Sequence, residues 1–389
     1  MRYFNNGISA VAFILLSRLI AIFTEVRENK VFFVSDVRAE LGGNLKDVYD
    51  YLDGSYEKVT YLKADRRQIT GLGKFLRFVY DMTTAGTILL EDYFRYTSYY
   101  RVRPGQQICQ LWHGAGAFKK FGYSRAAGNE KIRIHKGYRK YAKAIVSAES
   151  IRGCYAEAFG LPPEKVRATG VPRTDLFFDA QKIRETQNAL YEEFPQLERK
   201  KVVLFAPTYR GLRADDAGYD FDRLNLERIR EGLGEDYIFV FKWHPAVYNN
   251  ILRHKGGEWD PGKYGGFYLD LSEHREINDL LLVTDVLITD YSSVIFDYFF
   301  VNKPIVFYAY DREVYADGRG LYYPYEDYLY GPVVTGQQEL IRAVREGDMA
   351  EEKRAAFGQR FLSACDGHST ERTCKWIFGK EAGTDGNCD

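Results

Sequence analysis

Short apolar runs alternate with helical patterns along most of this chain. Each run is four to six residues long and rich in β-branched and aromatic residues, which is typical of buried strands. Strands that alternate with helices predict parallel sheets. The predicted strands are 31–34, 59–62, 87–90, 107–111 and 144–147 in the first half, and 202–206, 237–242, 266–270, 286–289 and 305–310 in the second.

These two sets of strands predict two α/β domains. We expect a Rossmann-like domain over 29–185 and a second Rossmann-like domain over 186–378, joined within the charged helical piece 174–200. The stretch 349–378 is predicted to be helical and to close back over the domains. The polar tail 379–389 is predicted to be disordered.

The most apolar stretch, 8–23, precedes these domains. It is short for a membrane span and contains Arg18, and no small-residue cleavage site follows it, so we do not expect secretion. We treat 1–28 as one segment that is a buried first helix, a helix lying in the membrane interface, or a true span.

One strand–helix–strand unit stands out in the second half. The strand 286–289 is followed by Asp290, Ser292 and Ser293, which are residue types typical of helix starts, and then by an apolar helix and the strand 305–310. Helix starts at the carboxyl ends of parallel strands present unpaired N–H groups to anions. We therefore expect a phosphate there, beside two serine hydroxyls.

Composition excludes several classes of partner and site. The chain has 389 residues, with 54 basic and 54 acidic side chains, so no nucleic acid partner is expected. Its five cysteines are odd in number and show no Cys-x-x-Cys spacing, which favours a reducing compartment over disulfides or a zinc knuckle. The aromatic content of 16% suits a large core and surfaces that bind sugars or membrane interfaces.

The first candidate for catalysis is His113, which follows a predicted strand within Trp112-His113-Gly114-Ala115-Gly116. Glycines let the backbone approach a ligand closely, and a histidine at the end of a strand can act as a general base. The alternative is that His113 only caps the next helix. The glycines lack Rossmann spacing, and no Gly-Lys pair is followed by Ser or Thr as a P-loop requires.

A second candidate pair is Lys242 and His244, two positions apart at the end of a predicted strand. Side chains at that spacing point the same way, so both can face one anionic group. The alternative is a solvated lysine and a hydrogen-bonded core histidine. Two further motifs, Pro207-Thr208-Tyr209-Arg210 and Gly170-Val171-Pro172-Arg173, are explained equally well as turns.

A basic tract between positions 119 and 143 holds nine cations against Glu130 alone. Most charge runs are solvated helix faces, but this asymmetry in a neutral protein favours an anionic lipid headgroup or a diphosphate as partner. Single-stranded nucleic acid is an alternative that the neutral total argues against. The cations are Lys119, Lys120, Arg125, Lys131, Arg133, Lys136, Arg139, Lys140 and Lys143.

Taken together, these segments resemble the CDP-glycerol glycerophosphotransferase family, the enzymes that start or extend teichoic acids. The resemblance runs in order over about 110–375, and the ordered set is specific where no single member is. The matching segments are Trp112-His113-Gly114, Phe118-Lys119-Lys120-Phe121-Gly122, Gly170 to Asp175, Ala206 to Arg210, Lys242 to Pro245, Thr289 to Ser293 with Phe296-Asp297, Lys303 to Ile305, Phe307-Tyr308, Tyr310-Asp311, Arg319-Gly320 and Asp366 to Thr370.

The resemblance implies a GT-B architecture, in which two Rossmann-like domains face each other across a cleft and the second mainly binds the nucleotide. His113 matches the family's catalytic base, and His244, Ser292 and Ser293 match its diphosphate-binding groups. The remaining matches to donor-binding positions are Trp112, Gly114, Ala115, Gly116, Arg173, Pro207, Thr208, Lys242, Trp243, Asp297 and Arg319.

The resemblance also implies substrates and a location. The donor is CDP-glycerol, and the acceptor is a lipid-linked glycan of the undecaprenyl diphosphate type, used by a cytoplasmic enzyme peripheral on the inner face of the cell membrane. The patch that would contact membrane or acceptor comprises Lys119, Lys120, Lys131, Arg133, Lys136, Arg139 and Lys140. The chain departs from polymerising members at Ala115-Gly116, where those often have Thr-Pro, and so is more similar to priming enzymes.

The chemistry of such a transfer agrees with the residues. The acceptor hydroxyl loses a proton as it attacks the β-phosphorus, and the leaving CMP gains charge that cationic groups and a helix start can stabilise. We expect His113 and His244, from opposite halves, to converge on one pyrophosphate. No compact acidic triad requires a metal, and Asp285 and Asp290 are the candidate ligands if Mg²⁺ is used.

Two rival functions stay open. The same fold can use CDP-ribitol or a nucleotide sugar as donor. A protein of another class would bind anionic lipid or polymer without catalysis, through 8–23 and the basic tract. The acceptor's identity and the oligomeric state are left open by the sequence.

Overall fold

The computed structural model describes residues 4–63, 72–127, 136–211, 217–253, 261–312, 315 and 320–379. The chain divides into two compact units, Met1–Asp175 with Phe361–Asp389, and Leu176–Arg360. Each unit contains one six-stranded sheet, and every strand pairing in both sheets is parallel. The predicted α/β class with two Rossmann-like domains is therefore present, one sheet to a unit.

The first unit is built around a sheet in the order β2-β1-β3-β4-β5-β6. Its helices cover both faces, as parallel sheets require. The elements are α1 Phe4–Phe23, β1 Arg27–Val34, α2 Gly43–Tyr51, β2 Glu57–Tyr61, α3 Leu72–Thr84, β3 Ala85–Leu90, β4 Gln107–Gln110, β5 Lys143–Ile145, α4 Arg152–Phe159 and β6 Val166–Arg167. A last helix of this unit, Ser369–Phe378, comes from the end of the chain.

Alternation along β1 assigns the two faces of this sheet. Val31 and Phe33 pack with residues of α2 and of the helix Ser369–Phe378 in one apolar cluster. Phe32 points the other way and lies 6.1 Å, ring to ring, from Phe78 of α3, which in turn lies 5.9 Å from Phe13 of α1. The central strand is thus buried on both sides, which explains its uninterrupted apolar sequence.

The second unit has a sheet in the order β12-β11-β10-β7-β8-β9. Numbered within the unit, this is the doubly wound order 3-2-1-4-5-6 of dinucleotide-binding domains. The elements are α5 Ala180–Glu193, α6 Gln196–Arg199, β7 Lys201–Phe205, α7 Leu226–Leu233, β8 Tyr237–Phe241, α8 Pro245–Arg253, β9 Tyr268–Asp270, α9 Ile277–Leu281, β10 Val286–Thr289, α10 Val294–Tyr298, β11 Ile305–Tyr308, β12 Val333–Val334, α11 Gln337–Glu346 and α12 Glu351–Phe361. The helix Ser369–Phe378 is accordingly α13.

The core of the second unit lies between its sheet and two amphipathic helices. Leu226, Ile229 and Leu233, at the spacing of one helix face, bring α7 onto the sheet, and Leu340 and Val344 do the same for α11. Side chains of β7, β8 and β10 complete this cluster. The carboxyl ends of β7 and β10 are neighbours in the sheet, so the loops that follow them meet.

All predicted strands overlap observed ones, but two observed strands were not predicted. These are β6 and β12, each two residues long and at a sheet edge, which is too short to show a periodic pattern. The predicted domain boundary also differs from the observed division. The first unit ends at Asp175 rather than 185, and it regains the chain at Phe361, because α13 packs on α2.

The predicted N-terminal helix is present as α1. Within the described part of the chain, no helix combines the length and apolarity needed to cross a membrane. Ala10 and Phe13 are buried against the first unit, while Val11, Leu15, Leu19, Ile22 and Phe23 are between 52% and 78% exposed. The helix is therefore not fully buried. The predicted disorder of the tail from 380 onward lies outside the described residues.

Candidate active site

In the first unit, polar side chains gather at the carboxyl ends of β1 and β3, where the strand order of the sheet reverses. Such points form ligand crevices in doubly wound sheets. Glu91, just after β3, accepts hydrogen bonds from Ser35 Oγ (2.6 Å) and Arg38 Nε (3.0 Å). Burial raises the pKa of the Glu91 carboxyl, while Arg38 and Ser35 act to lower it.

His113 lies beside this cluster, three residues beyond the end of β4. Its Nδ1 is 3.1 Å from the carbonyl oxygen of Glu91. Solvent reaches the residue, but the surrounding protein desolvates its ring and lowers the pKa below the usual 6.5, and Arg173 and Arg38 act in the same direction. Asp92 and the Glu91 carbonyl oppose this shift. His113 is therefore neutral at pH 7, as a general base must be.

The backbone before His113 has an unusual conformation. Trp112 has φ of 57°, in the left-handed region that a bulky residue rarely adopts. Its N–H donates to Gln110 Oε1 (2.9 Å), and its indole stacks on Phe121 at 4.5 Å between ring centroids. The indole also lies 4.4 Å from the His113 ring. Trp112 thus supports the histidine.

The glycine loop after His113 is held by hydrogen bonds to two side chains, Tyr155 and Ser147. The Tyr155 hydroxyl lies within hydrogen-bonding distance of the carbonyl oxygens of Gly114 (3.3 Å) and Gly116 (2.8 Å), and the Gly116 N–H donates to Ser147 Oγ (2.9 Å). Ala115 between them is buried. The donor-binding role predicted for this loop stays a prediction. Because Ala115 is buried and has only a methyl side chain, it could contact a ligand mainly through its backbone groups.

The segment that carries Arg173 packs against α13. Gly170 has φ of 84°, and a Cβ there would lie 2.3 Å from the Ala364 carbonyl oxygen, so a glycine is required. Asp175 accepts hydrogen bonds from the N–H groups of Ser369 (2.9 Å) and Thr370 (2.7 Å) at the start of α13, where a carboxylate is stabilised. The match at Asp366 to Thr370 is therefore structural, and it positions the Arg173 segment.

In the second unit, the strand order reverses between β7 and β10. Asp290, just after β10, connects the loops that follow these two strands. Its Oδ1 accepts the N–H groups of Thr208 (2.7 Å) and Tyr291 (2.6 Å), and its Oδ2 accepts Arg210 Nη1 (2.8 Å). The carboxylate is 1% exposed. Thr208 and Pro207, both predicted to bind the donor, are thereby held at the switch point of the sheet, though both are buried.

Arg210 connects this carboxylate to a third strand. Its Nε and Nη2 donate to the two carboxylate oxygens of Asp311, at 2.6 Å and 2.9 Å. Desolvation opposes the charge, but Asp290 and Asp311 raise the pKa of Arg210 above its usual value. Four rings surround the guanidinium at 5.3–5.6 Å, those of Tyr219, Tyr291, Tyr310 and Tyr315. We call these groups the Arg210 cage.

The serine pair follows the Arg210 cage directly. Ser292 is half-buried, with its Oγ 3.4 Å from the Val294 N–H, and Ser293 is exposed. The helix they begin, α10, is only five residues long and continues as a 3₁₀ turn over Phe299–Val301. Asp297 within it is buried. The phosphate predicted beside the serines and the donor-binding role of Asp297 stay predictions.

Lys242 and Trp243, both predicted to bind the donor, make contacts within the protein. Lys242 Nζ donates to the carbonyl oxygens of Ser272 (2.8 Å) and His274 (2.6 Å), and burial lowers its pKa. Trp243 is 1% exposed and stacks in the core on Phe241, 5.5 Å between centroids. Trp243 therefore has almost no surface with which to line a donor site, and Lys242 holds the chain after β9.

His244 does face solvent. Its Nδ1 accepts the N–H of Ala246 (3.2 Å), and its ring lies 4.6 Å from that of Tyr209, between centroids. In the neutral ring an Nδ1 that accepts leaves the proton on Nε2. His244 is therefore oriented with Nε2–H as a donor. Its expected convergence with His113 on one pyrophosphate stays a prediction.

The basic tract is only partly a solvated surface. Lys140 Nζ donates to three carbonyl oxygens, those of Thr97, Ser98 and Tyr100, at 2.6–3.0 Å. Lys143 Nζ donates to the carbonyl oxygens of Trp376 and Ile377, in the last turn of α13. Lys136 and Arg139 are exposed, and Lys119 and Lys120 are half-buried. Lys131, Arg133 and the donor residue Arg319 lie outside the described residues.

The carboxylates proposed as Mg²⁺ ligands already have protein partners. Asp290 is held in the Arg210 cage, and Asp285 accepts the Val202 N–H (2.9 Å) and pairs with Lys303 (3.3 Å). Among the described residues, no group of three or more His, Cys, Asp or Glu side chains is arranged to hold a metal ion.

Sequence reasoning missed Glu91, Arg38 and Asn44 in the first unit and the role of Asp311 in the second. Glu91 directly follows the predicted strand 87–90, so the argument that selected His113 also applied to it. Asn44 is the second residue of a short helix that begins at Gly43, and it carries no comparable signal.

Comparison with solved structures shows the fold. The structure of the wall teichoic acid polymerase TagF superposes with a TM-score of 0.72 at 20% sequence identity, covering 97% of both chains. The predicted GT-B-like α/β class, with two Rossmann-like domains, is confirmed.

Comparison with sequences shows the family. A teichoic acid poly(ribitol-phosphate) polymerase of Bacillus spizizenii is 41% identical over 90% of this chain, which spans 56% of that polymerase's length. A teichoic acid ribitol-phosphate primase of the same species is 32% identical over 96% of this chain and 95% of the primase. The family model described as CDP-glycerol:poly(glycerophosphate) glycerophosphotransferase matches residues 16–379. The chain therefore belongs to the CDP-glycerol:poly(glycerophosphate) glycerophosphotransferase family.

Proposed function

We propose that this protein transfers a polyol phosphate from a CDP-linked donor to a hydroxyl group of a lipid-linked glycan acceptor in teichoic acid synthesis, releasing CMP. The observation that carries the proposal is His113, a neutral histidine that solvent reaches at the carboxyl edge of the first sheet. Family membership supplies the reaction class, and the two histidines supply a general base and a hydrogen-bond donor to the leaving group.

His113 is the proposed general base. A carbonyl oxygen can only accept, so Nδ1–H of His113 donates a hydrogen bond to the backbone carbonyl of Glu91, and the lone pair of the neutral ring is on Nε2. Nε2 then takes the proton of the acceptor hydroxyl as that oxygen attacks the β-phosphorus of the donor. The lowered pKa keeps this lone pair available at and below neutral pH.

His244 is the proposed stabiliser of the leaving group. Its tautomer is the reverse of that of His113, because its Nδ1 accepts and its Nε2 carries the proton. An Nε2–H of this kind can donate to the diphosphate oxygens, on which negative charge grows as CMP departs. Ser292 and Ser293 are proposed to bind the same diphosphate.

We expect His244→Ala to lower CMP release by about 10²–10³-fold, because one hydrogen-bond donor to the developing charge is lost. The measurement is kcat for CMP release with saturating donor. His274→Asn is the matched control, since that imidazole pairs with Asp279 on the same unit. A His244→Ala enzyme that turns over as fast as this control would contradict the assignment.

The donor has two candidates. CDP-glycerol is the donor predicted from the sequence, and it agrees with the family description. CDP-ribitol is favoured by the ribitol-phosphate names of both relatives described above. The deciding experiment supplies CDP-glycerol, CDP-ribitol and a UDP-sugar together with a soluble lipid-linked disaccharide analogue, and measures which nucleotide is consumed. Failure to release CMP from either CDP-polyol would overturn the proposed function.

We propose that the enzyme primes rather than polymerises, because it has Ala115-Gly116 where polymerising members often have Thr-Pro. In the same reaction, a priming enzyme adds one polyol phosphate to each acceptor, whereas a polymerase yields a ladder of masses. Mass spectrometry of the product distinguishes them. A ladder obtained with limiting acceptor would contradict priming and leave the transfer reaction itself intact.

We also propose that α1 binds the inner face of the cell membrane peripherally. Leu15, Leu19 and Ile22 lie on one exposed face of α1, at the spacing of a helical stripe, together with Arg18. An apolar stripe beside a cation suits the interface of an anionic membrane. The basic residues Lys136 and Arg139 would add electrostatic attraction.

We expect the double variant Leu15→Gln with Leu19→Gln to lose most of its sedimentation with vesicles rich in phosphatidylglycerol, because two of the three apolar side chains of the stripe are replaced. Val37→Gln, an exposed apolar residue outside α1, is the control. Unchanged sedimentation would exclude α1 as the anchor and leave the basic tract. Vesicle binding without CMP release from any donor would instead support the non-catalytic alternative.

A further inference from the structure

Asn44 is a buried polar residue that connects two separate motifs of the first unit. It is the second residue of α2, and it is 1% exposed. Its Nδ2 donates to the carbonyl oxygens of Leu111 (3.2 Å) and Trp112 (2.8 Å), and its Oδ1 accepts the N–H of Arg173 (3.0 Å). Both ends of the amide are thus engaged, which fixes its orientation.

The two carbonyl groups held by Asn44 belong to the residues immediately before His113. Trp112 is the residue with left-handed φ, and its peptide groups are held on both sides, by Gln110 at the N–H and by Asn44 at the carbonyl. Gln110 is itself anchored, since its Nε2 donates to the Asp92 carbonyl (3.1 Å). The path of the backbone from β4 to His113 therefore depends on the side-chain amides of Gln110 and Asn44.

We infer that Asn44 is a positioning residue for His113, which holds the backbone of the base and the Arg173 segment in one arrangement. The inference depends on the proposed function for the role of His113 in catalysis. Its geometric part, the coupling of the His113 loop to the Arg173 segment through one amide, does not.

The coupling has an electrostatic consequence. The charged groups around His113 are Asp92, which raises its pKa, Arg173 and Arg38, which lower it, and the buried Glu91, whose carbonyl accepts from Nδ1. Arg173 exerts its effect only while its segment stays beside the histidine. Loss of the Asn44 hydrogen bonds removes the contact that holds that segment to the His113 loop, so the pKa of His113 should move back toward its ordinary value.

The test replaces Asn44 with Leu, which has nearly the same shape and no hydrogen-bonding group, and with Ser, which can donate to one carbonyl. We expect Asn44→Leu to lower kcat, measured at saturating donor, by about 10- to 100-fold, because the base is misplaced. The acid limb of the kcat profile should move to higher pH. Asn44→Ser should lie between Asn44→Leu and the parent.

A second readout needs no substrate. Titration of ¹³C-labelled histidine by NMR, with His113 assigned from the signal lost in His113→Gln, should show that the pKa of His113 is higher in Asn44→Leu than in the parent. This readout stands even if no CDP-polyol is turned over, so a failure of the proposed function is distinguishable from a failure of this inference.

Asn225→Leu is the matched control. Asn225 caps α7 by accepting the Arg228 N–H (3.1 Å), so its loss weakens a helix of the other unit without touching the His113 loop. It should lower the melting temperature and leave both the kcat of the folded protein and the His113 pKa unchanged. If the Asn44 variants behave in the same way, Asn44 is merely structural and the inference is overturned.

Discussion

His113→Gln should reduce CMP release by about 10³-fold or more at saturating donor and acceptor, the upper part of the range for loss of a general base. Glutamine is a neutral side chain of similar length, so the loop after β4 should keep its shape, but its amide has no lone pair of suitable basicity for the acceptor proton. The measurement is kcat from pH 5 to 9. The residual activity should lose the acid limb that His113 titration causes.

His368→Asn is the control for this substitution. His368 is an exposed histidine of the same unit, just before α13, and lies 3.5 Å from Glu371. Its replacement should leave kcat within about twofold, as expected for a solvated surface pair. Near-normal turnover by a folded His113→Gln protein would remove His113 from the role of base, and with it the observation that carries the proposed function.

Arg210→Met should destabilise the second unit by about 3–5 kcal/mol, the range for removing one partner of a buried ion pair. Methionine fills much of the space of the arginine stem but leaves the Asp290 carboxylate, 1% exposed, without its cation, and Asp311 without a bidentate partner. Urea denaturation measures the loss. Hydrogen exchange followed by mass spectrometry should localise it to Leu176–Arg360.

Arg223→Met is the matched control for the Arg210 cage. Arg223 also pairs with an aspartate, Asp220 at 3.1 Å, and also lies over the Tyr310 ring, but its pair is exposed. Its loss should leave the free energy of unfolding almost unchanged, as expected for an exposed pair. Equal stabilities of the two variants would show that the cage contributes no more than a surface pair. Arg210→Lys should be more stable to urea than Arg210→Met but less stable than the parent, because one ammonium group cannot span both carboxylates.

Strand positions and the α/β class were predictable because burial on both faces leaves uninterrupted apolar runs in the sequence. The ends of those strands were predictable for the same reason, and so the residues just beyond them, His113 and Ser292 among them, were placed at carboxyl edges. The edge strands β6 and β12 were not, since they depend on pairing with distant residues. The helical stretch 349–378 was predicted to close over both domains, and only packing against α2 assigns α13 to the first unit.

The direction of individual side chains was predicted less well. The alternation that placed Lys242 and His244 on one side of an extended segment also places Trp243 on the other, which is the core, although the family resemblance had assigned Trp243 to the donor site. Lys140 and Lys143 were counted as surface charge, yet their ammonium groups bind backbone carbonyls. A charge count contains no information about which way a lysine bends.

The sequence by itself determined the class, the strands, the family motifs and their order, because these follow from local periodicity and from residue types at strand ends. Only the tertiary structure decided which polar groups share a hydrogen bond: Asn44 with Trp112 and Arg173, Glu91 with Arg38, and Arg210 with Asp290 and Asp311. The two residues of each pair lie between 53 and 129 positions apart in the sequence. Pairing at such separations is set by which strands become neighbours in the sheet, and no local pattern records it.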